Sequence, residues 1–288
     1  PDMLGSRLLF RGYGLGRSRA ATHAGLLGCD TLVVHDEAHL APAFTALLRQ
    51  IEAQADAGAK RLGRPPLRVM EMTATLGASQ ERLPLVCDVS QDPALMERMG
   101  ASKRLTLIDA QLQPAKAAKP QARVRDLLLE QALTYQGANK AVALFVSSPA
   151  TAEELAGRLA KAGVAADRIL TLTGTMRGHE RAQLSSTEAF RRFDPGTGRD
   201  ETSGTAYFIA TSAGEIGLDI DADVGLFDLT TLDRFIQRCG RVNRRGLSVG
   251  TIVLVHDRGE EVPERVRERA LKALEILRGL EIVEGAAD

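Results

Sequence analysis

Short apolar runs that alternate with helical patterns constrain the fold of this sequence more than any other feature. Residues 31–35 form an apolar run rich in β-branched side chains, and residues 67–72 form a second one, as expected for buried parallel strands. Between them, four apolar residues fall at helical spacing after Pro42, namely Phe44, Leu47, Leu48 and Ile51. A strand, a helix and a strand in this order form a right-handed crossover unit. The first part of the chain therefore predicts an α/β domain.

The second half of the sequence repeats this alternation more completely. Predicted strands cover residues 141–147, 169–172, 207–211, 224–229 and 251–255, and helical patterns separate them. The first of these helices begins at Ser148 or Pro149 and ends at Gly163, and the last covers about 264–278. We expect an open α/β sheet here as well.

A stretch without apolar periodicity separates the two halves. A further strand is predicted at 105–108, and residues 111–122 after it are mostly Pro, Ala, Lys and Gln. This composition is typical of an extended linker. The 288 residues are enough for two domains. We therefore predict a first domain at 1–110, a linker at 111–122 and a second domain at 123–288.

Charge and cysteine content narrow the classes of function. Lys plus Arg and Asp plus Glu both number 37, so the formal net charge is zero and nucleic-acid binding would depend on local arginine clusters. The three cysteines, Cys29, Cys87 and Cys239, are far apart and lack metal-ligand spacing, which favours reduced thiols. No apolar run reaches the roughly 18 residues of a membrane span, and we expect a cytoplasmic protein.

The string Asp36-Glu37-Ala38-His39 directly follows the first predicted strand. Open α/β sheets bind ligands at the carboxyl ends of their strands. Phosphoryl transfer to water uses one carboxylate for Mg²⁺ and a second one to orient the attacking water, and Asp36 and Glu37 suit these roles. Two acids at a strand end can also simply cap the next helix. The complete DEAH string after a buried strand favours the catalytic interpretation.

Two hydroxyl residues, Thr73 and Thr75, follow the second predicted strand. Threonine-rich turns are common, so this Thr-Ala-Thr string means little alone. If the two strands are neighbours in the sheet, however, these hydroxyls lie beside the carboxylates of the DEAH string. The spacing therefore supports one site built at both strand ends.

The string Gln-Arg-Cys-Gly-Arg-Val-Asn-Arg-Arg-Gly at 237–246 is the strongest single signal. On a helix, Gln237, Arg241 and Arg244 would share one face. Guanidinium groups that face a bound nucleotide can neutralise the charge that develops on its γ-phosphate, as an arginine finger does. The alternative is a solvated basic helix end that the helix dipole favours. The accompanying motifs favour the arginine finger.

Together these strings resemble known helicase motifs. The DEAH, Thr-Ala-Thr and 237–246 strings, with residues 210–220 between the last two, are similar in order and spacing to motifs II, III, VI and V of superfamily 2 helicases. The resemblance implies two RecA-like open parallel-sheet domains in tandem that use ATP with Mg²⁺. It assigns Asp36 to Mg²⁺, Glu37 to the water and His39 to coupling between the domains. It further assigns the phosphates to Gln237, Arg241 and Arg244, and nucleotide coupling to Thr73, Thr75, Gly217 and Asp219.

A narrower resemblance covers nearly the whole chain. Residues 2–14, 36–44, 172–178 and 239–246 resemble the helicase of type I CRISPR interference, the partner of the Cascade complex, particularly its I-U/I-G branch. This family implies 3′ to 5′ movement on single-stranded DNA that is fed to an HD nuclease domain. The residues expected to contact the strand are Ser6, Arg7, Ser147, Thr173, Arg177 and Thr211.

Two parts of such a helicase–nuclease are missing from the sequence. It contains no GxxxxGK[ST] loop, because Gly14-Leu-Gly-Arg-Ser18 has Arg where the loop needs Lys. We therefore expect weak ATP affinity in this chain, a first domain truncated at its N-terminus and an exposed apolar edge on its sheet. The His-Asp dipeptides at 35–36 and 256–257 do not make an HD nuclease, which we expect beyond Asp288.

Two other functions remain open at this stage. One is a DEAH-type helicase of RNA metabolism or DNA repair, which the flanking sequence would distinguish. The other is a nucleic-acid-binding module that never hydrolyses ATP. The intact acids of the DEAH string and the intact arginines at 237–246 argue against the second, because a chain without that chemistry has no need for them.

Overall fold

The computed structural model describes residues 2–73, 89–112, 120–174, 176, 179, 183–196, 203–215, 218–258 and 262–284. The chain divides into two compact units, Pro1–Leu85 and Val86–Asp288. No helix in the described ranges combines the length and the apolar character that crossing a membrane would need.

The first unit is a strand–helix–strand arrangement preceded by two helices. Its elements are α1 (Asp2–Leu8), α2 (Arg17–Gly28), β1 (Leu32–His35), a 3₁₀ turn (Ala38–Leu40), α3 (Pro42–Leu62) and β2 (Arg68–Glu71). β1 and β2 pair in parallel, from Leu32 opposite Arg68 to His35 opposite Glu71. The predicted crossover unit is therefore confirmed, with the helix after Pro42 as the connection.

One face of this small sheet is covered and the other is exposed. Val33 and Val69 pack with Leu48 of α3 and with Leu8 and Leu67. The alternate apolar residues of the strands point away from this core, so that Leu32 and Val34 remain 60% and 48% exposed and Met70 is also exposed.

The second unit contains a parallel sheet of six strands in the order β3-β8-β7-β4-β6-β5. The strands are β3 (Lys103–Asp109), β4 (Ala141–Phe145), β5 (Ile169–Leu172), β6 (Ala206–Ala210), β7 (Val224–Asp228) and β8 (Gly250–His256). The helices are α4 (Pro93–Met99), α5 (Pro120–Leu133), α6 (Pro149–Lys161), α7 (Glu188–Arg191), α8 (Leu232–Cys239) and α9 (Glu264–Glu284), and short 3₁₀ turns cover Val89–Gln91, Ala166–Arg168 and Ser212–Gly214. The prediction of an open α/β sheet is confirmed.

Both faces of this larger sheet are covered. Along β4, Ala143 and Phe145 belong to one buried cluster, whereas Val142 and Leu144 belong to the cluster on the opposite face. The helix after β4 begins as predicted, because the Ser148 hydroxyl accepts a hydrogen bond from the Thr151 N–H at 3.1 Å. Central strands covered on both faces explain why these segments are continuously apolar in the sequence.

The structure places the strand predicted at 105–108 in the second sheet and not in the first. β3 pairs with β8 along its whole length, from Lys103 opposite Gly250 to Asp109 opposite His256. The two compact units accordingly divide before β3, upstream of the linker predicted at 111–122. The prediction failed because Lys103 pairs with Gly250, which lies 147 residues later in the chain. Local composition does not indicate pairing between strands so far apart in the sequence.

Candidate functional site

The DEAH string and the first threonine of the Thr-Ala-Thr string lie at adjoining strand ends. Asp36 follows β1, and Thr73 closely follows β2. The two ends are held together by backbone hydrogen bonds from the Met72 N–H to the His35 carbonyl (2.9 Å) and from the Ala38 N–H to the Met72 carbonyl (3.0 Å). β1 and β2 are therefore neighbours in the sheet, as the prediction of one site at both strand ends requires.

Glu37 is held in an unusual conformation. Its φ of 50° lies in the left-handed region, which non-glycine residues rarely adopt. Residues with this conformation cluster at functional sites. The Glu37 N–H donates to Asp36 Oδ1 at 2.9 Å. Glu37 Oε2 is buried and has no hydrogen-bond partner within the described part of the chain. A buried carboxylate oxygen with this free capacity can accept a hydrogen bond from a bound water.

His39 connects the acid of the first strand end to the hydroxyl of the second. Its Nδ1 lies 2.9 Å from Thr73 Oγ1 and 3.4 Å from Glu37 Oε2. The imidazole therefore lies between Glu37 and Thr73 and brings the two strand ends into one cluster. Thr75, the second threonine of the string, lies outside the described residues.

The prediction that Gln237, Arg241 and Arg244 share one helix face was wrong. α8 ends at Cys239, so that of the three only Gln237 is helical. Val242 forms an isolated parallel bridge with Ala222, and the Ala222 N–H donates to the Arg241 carbonyl at 2.8 Å. The chain turns directly after the helix, where the Val242 N–H donates to the Cys239 carbonyl at 3.1 Å, and the bridge follows this turn.

Asn243 then turns the chain, with a φ of 45° in the left-handed region. Gly246 completes the turn with a φ of 72°, and a Cβ atom there would lie 2.2 Å from the Glu97 carbonyl oxygen. Glycine is therefore required at this end of the 237–246 string. Arg241 and Arg244 therefore belong to the segment that follows the helix, with Arg241 directly after it and Arg244 inside the turn from Asn243 to Gly246.

Both arginines of the segment are held by residues 215–221. The Arg241 Nη2 donates to the Glu215 carbonyl at 2.8 Å. The Arg244 guanidinium pairs with Asp219, with Nε 3.2 Å from Oδ1, and its backbone N–H donates to Asp221 Oδ1 at 2.7 Å. The strings that resemble motifs V and VI are thus in direct contact, including the predicted coupling residue Asp219. Gly217 lies outside the described residues.

Arg238 forms a buried ion network that the sequence patterns did not predict. Its side chain is 0% exposed, and its guanidinium donates to Glu215 Oε1 (2.8 Å) and to Asp228 Oδ1 (2.9 Å). Arg234 adds two hydrogen bonds to Glu215, at 2.8 and 2.9 Å. Burial by itself would lower the pKa of Arg238, but the charges of Asp228 and Glu215 outweigh it and the net shift is upward. Arg238 therefore remains charged inside the second unit.

A signal for this network was present in the sequence. Arg238 follows Phe235 by three residues and precedes Cys239, so it belongs to the apolar face of α8. A charged residue on the apolar face of a helix must find buried partners of opposite charge. Its partners could not be identified from the sequence, because Glu215 and Asp228 come from other parts of the chain.

Three of the predicted strand-contacting residues lie in a row at the carboxyl edge of the second sheet. Ser147, Thr173 and Thr211 come after β4, β5 and β6, which are neighbours in the order β4-β6-β5. Ser147 is exposed, whereas Thr173 and Thr211 are buried. The Ser147 N–H donates to Asp228 Oδ2 at 2.5 Å, which connects this edge to the network of Arg238.

The remaining predicted contacts are in other places. Ser6 and Arg7 lie in α1 of the first unit, where the Ser6 hydroxyl donates to the Met3 carbonyl at 3.3 Å. Arg177 lies outside the described residues. His256 and Asp257 are buried at the end of β8. Across the described ranges, no group of three or more His, Cys, Asp or Glu side chains is arranged to hold a metal ion.

The comparisons with known proteins point to one family for part of the chain. Residues 138–247 match the family described as CRISPR-associated nuclease/helicase Cas3, C-terminal. This segment includes β4 to α8, Glu215, Asp228 and Arg238. No curated protein matches the sequence.

Solved helicase structures have a similar fold. T. fusca Cas3 with ATP has a TM-score of 0.58 at 16% identity, over 94% of this chain and 33% of that chain. S. cerevisiae Dbp5 bound to RNA and ADP BeF3 has a TM-score of 0.52 at 22% identity, over 86% and 56%. Mycobacterium smegmatis Lhr bound to ssDNA and AMP-PNP has a TM-score of 0.51 at 16% identity, over 89% and 31%.

This chain therefore spans only a third to about half of the length of these helicases. The likenesses establish its fold class, which is the parallel-sheet α/β fold of RecA-like helicase domains, and residues 138–247 match the Cas3 C-terminal family.

Proposed function

We propose that this chain is the core of an ATP-dependent translocase on single-stranded DNA, the helicase part of a type I CRISPR interference helicase–nuclease of the I-U/I-G-like branch. The observation that carries the proposal is the cluster of Glu37, His39 and Thr73 at adjoining strand ends. The match of residues 138–247 to the Cas3 C-terminal family supports the choice of family.

The end of β1 suits a magnesium–nucleotide complex. The Asp36 carboxylate is exposed, and carboxylate oxygens are preferred ligands of Mg²⁺. Asp36 would hold Mg²⁺ together with the phosphates of ATP, where the metal neutralises charge that develops during phosphoryl transfer. The buried Oε2 of Glu37, which lies 3.4 Å from His39 Nδ1, would accept a hydrogen bond from the attacking water.

In the second unit, Gln237, Arg241 and Arg244 are the proposed phosphate-binding residues. Arg244 already pairs with Asp219, but both side chains are partly or largely exposed. Exposed ion pairs contribute about 0–1 kcal/mol, so a phosphate can replace Asp219 at little cost. We propose that this exchange is how Asp219 reports the presence of nucleotide. Thr73, Thr75 and Gly217 would share in this coupling.

Strand contact in the second unit is proposed for Ser147, Thr173, Arg177 and Thr211, and in the first unit for Ser6 and Arg7. The Arg238 network supports coupling between strand and nucleotide, because it joins Glu215, next to the phosphate-binding segment, to the backbone of Ser147 through Asp228. Protein contacts to the sugar–phosphate backbone hold a single DNA strand without recognising its base sequence.

The proposed activity needs further parts of a longer protein. A phosphate-binding loop from outside these 288 residues would complete the nucleotide site, and an HD nuclease domain in the same full-length protein would degrade the DNA. A Cascade-type CRISPR effector complex is the proposed partner, in the cytoplasm. The family description, which names nuclease and helicase together, supports the proposal of a nuclease domain in the same protein.

ATP hydrolysis in the presence of single-stranded DNA tests the proposal. We would measure it for this chain and for a chain extended upstream to include a phosphate-binding loop, each with Glu37→Gln. The extended chain should hydrolyse ATP faster when single-stranded DNA is added, and Glu37→Gln should abolish hydrolysis while nucleotide binding persists. DNA binding without hydrolysis in either chain would contradict the proposal and favour a non-hydrolysing binding module.

A further inference from the structure

Two exposed aromatic side chains lie in the turn between α1 and α2. The chain has eight phenylalanines, three tyrosines and no tryptophan, and the structure describes all of them. Phe10 and Tyr13 are 64% and 73% exposed, whereas every other aromatic side chain is buried or half-buried. In a chain that covers its other aromatic rings, two exposed rings in one turn indicate a contact surface.

The same segment is strongly basic. Residues 3–29 contain no Asp or Glu, although the whole chain has a formal net charge of zero. The segment carries four arginines, Arg7, Arg11, Arg17 and Arg19, and their guanidinium groups have no ion pair or hydrogen bond with another residue in the described part of the chain. Guanidinium groups without a carboxylate partner are available to an external anion.

The helix pair gathers these groups at one end. α1 and α2 contact each other, with Arg7 in the last turn of α1 and Arg17 and Arg19 in the first turn of α2. The turn that joins those two helix ends carries the exposed rings and Arg11, so that all these groups lie within residues 7–19. The N-terminus of α2 has no side-chain cap and no acidic residue in its first turn. Arginines at the positive end of a helix dipole are unfavourable unless an anion binds there.

The backbone holds the turn in a defined shape. The Ser6 carbonyl accepts hydrogen bonds from the N–H groups of Arg11 (2.8 Å) and Gly12 (3.1 Å). Phe10 has a φ of 58°, and a bulky residue in this region is strained. Such strain is concentrated at ligand-binding sites.

We propose that this end of the helix pair binds single-stranded nucleic acid, with Phe10 and Tyr13 stacking on bases and the arginines contacting phosphates. We call it the arginine–aromatic surface; its members are Phe10, Tyr13, Arg7, Arg11, Arg17 and Arg19. Stacking rings combined with guanidinium groups are how proteins bind single strands without sequence preference. The inference rests on the proposed function, because it adds a base-stacking surface beside the predicted contacts Ser6 and Arg7.

The affinities of the chain for two oligonucleotides, one with bases and one without, separate the contribution of base stacking from that of charge. Fluorescence anisotropy of this chain would be measured with labelled dT of roughly 16 nucleotides, within the range of known single-strand sites, and with an abasic strand of equal length. Phe10→Ala/Tyr13→Ala should weaken dT binding at least about tenfold and leave abasic binding nearly unchanged. Leu26→Ala is the matched control, because Leu26 is equally exposed in α2.

The arginine variants test the charge contribution. Arg11→Gln/Arg17→Gln should weaken the binding of both strands and reduce the slope of log K against log salt by roughly 0.7 per lost contact. The control is Arg61→Gln/Arg64→Gln, two exposed arginines of the same unit. Equal effects of the two arginine pairs, or equal loss of dT and abasic binding in the aromatic variant, would overturn the proposal.

The outcomes distinguish this inference from the proposed function. If dT binding depends on Ser147 but not on the arginine–aromatic surface, the surface is wrong and the translocase proposal stands. If the chain does not bind dT at all, both fail. Binding to anionic lipid vesicles that Arg11→Gln/Arg17→Gln abolishes, with unchanged dT binding, would identify a membrane contact and overturn the inference.

Discussion

The two compact units differ in how completely they bury the apolar faces of their parallel strands. In the first unit, β1 and β2 bury Val33 and Val69 on one face and leave Leu32, Val34 and Met70 exposed on the other. In the second unit, β4, β6 and β7 are buried at every position, because separate clusters cover the two faces of the sheet. Strands that are apolar on both faces are suited to a sheet covered on both faces.

The units also differ in how they hold charge. In the first unit, Arg49 makes a two-pronged pair with Glu71, at 2.7 and 2.6 Å, but the Arg49 side chain is partly exposed. In the second unit, Arg238 is completely buried between Glu215 and Asp228. Among the described residues, the second unit thus contains a completely buried charge, which is costly when one of its partners is lost, whereas the Arg49 pair of the first unit remains partly exposed to solvent.

The largest expected effect comes from Arg238. Arg238→Met should lower the free energy of unfolding of the second unit by about 3–5 kcal/mol, because it leaves Glu215 and Asp228 buried with their charges less compensated. Urea denaturation followed by circular dichroism measures this loss. Arg49→Met in the first unit is the matched variant, for which we expect about 1 kcal/mol or less. Equal losses in both variants would contradict the contrast between the units.

Truncation of the neighbouring β1 residues Val33 and Val34 gives the next largest expected change in the free energy of unfolding. Val33→Ala should lower the free energy of unfolding of the first unit by about 1–2 kcal/mol, since buried methyl groups are lost. Val34→Ala should change it by about 0.5 kcal/mol or less, because Val34 is exposed. Val142→Ala in β4 should behave like Val33→Ala. Similar costs for Val33 and Val34 in denaturant titrations would show that the exposed face of the first sheet is covered in solution.

The strands were predictable because their signals are local. Short apolar runs, and acids or hydroxyls directly after them, located β1 with Asp36 and β2 with Thr73, and the adjacency of these strand ends follows from the crossover rule. β3 was assigned to the wrong domain for the opposite reason, since its partner β8 is distant in the sequence. Local patterns do not record which distant strand completes a sheet.

Local spacing was also insufficient within the 237–246 string. Spacing alone placed Arg241 and Arg244 on the helix of Gln237, but the bridge between Val242 and Ala222 ends that helix early. Arg238 was missed because its role depends on Glu215 and on Asp228, which only the folded second unit brings to it. The ends of neighbouring strands were therefore predictable from the sequence, whereas the contacts of Arg238, Arg241 and Arg244 with residues 215–228 were not.

The smallest expected effect is a pH dependence at the edge of the second sheet. Burial by itself would raise the pKa of Asp109, but the hydrogen bonds from Arg258 and from the Gln111 N–H outweigh it and set the pKa below its usual 3.8. A lowered folded-state pKa stabilises the fold above about pH 3.8, and this stability is lost as the pH falls through the lowered value. Arg258→Gln should flatten the acid limb of thermal unfolding below that pH. An unchanged acid limb would contradict this role of Arg258.

ATP-driven strand displacement tests the central proposal most directly. The extended chain would be mixed with a partial duplex that has a 3′ single-stranded overhang, and release of the labelled strand would be followed with ATP and with a non-hydrolysable analogue. We expect release with ATP only, and none from Glu37→Gln although it still binds the DNA and the nucleotide. Release that does not depend on ATP, or that survives Glu37→Gln, would contradict the assignment of this chain as the core of a DNA motor.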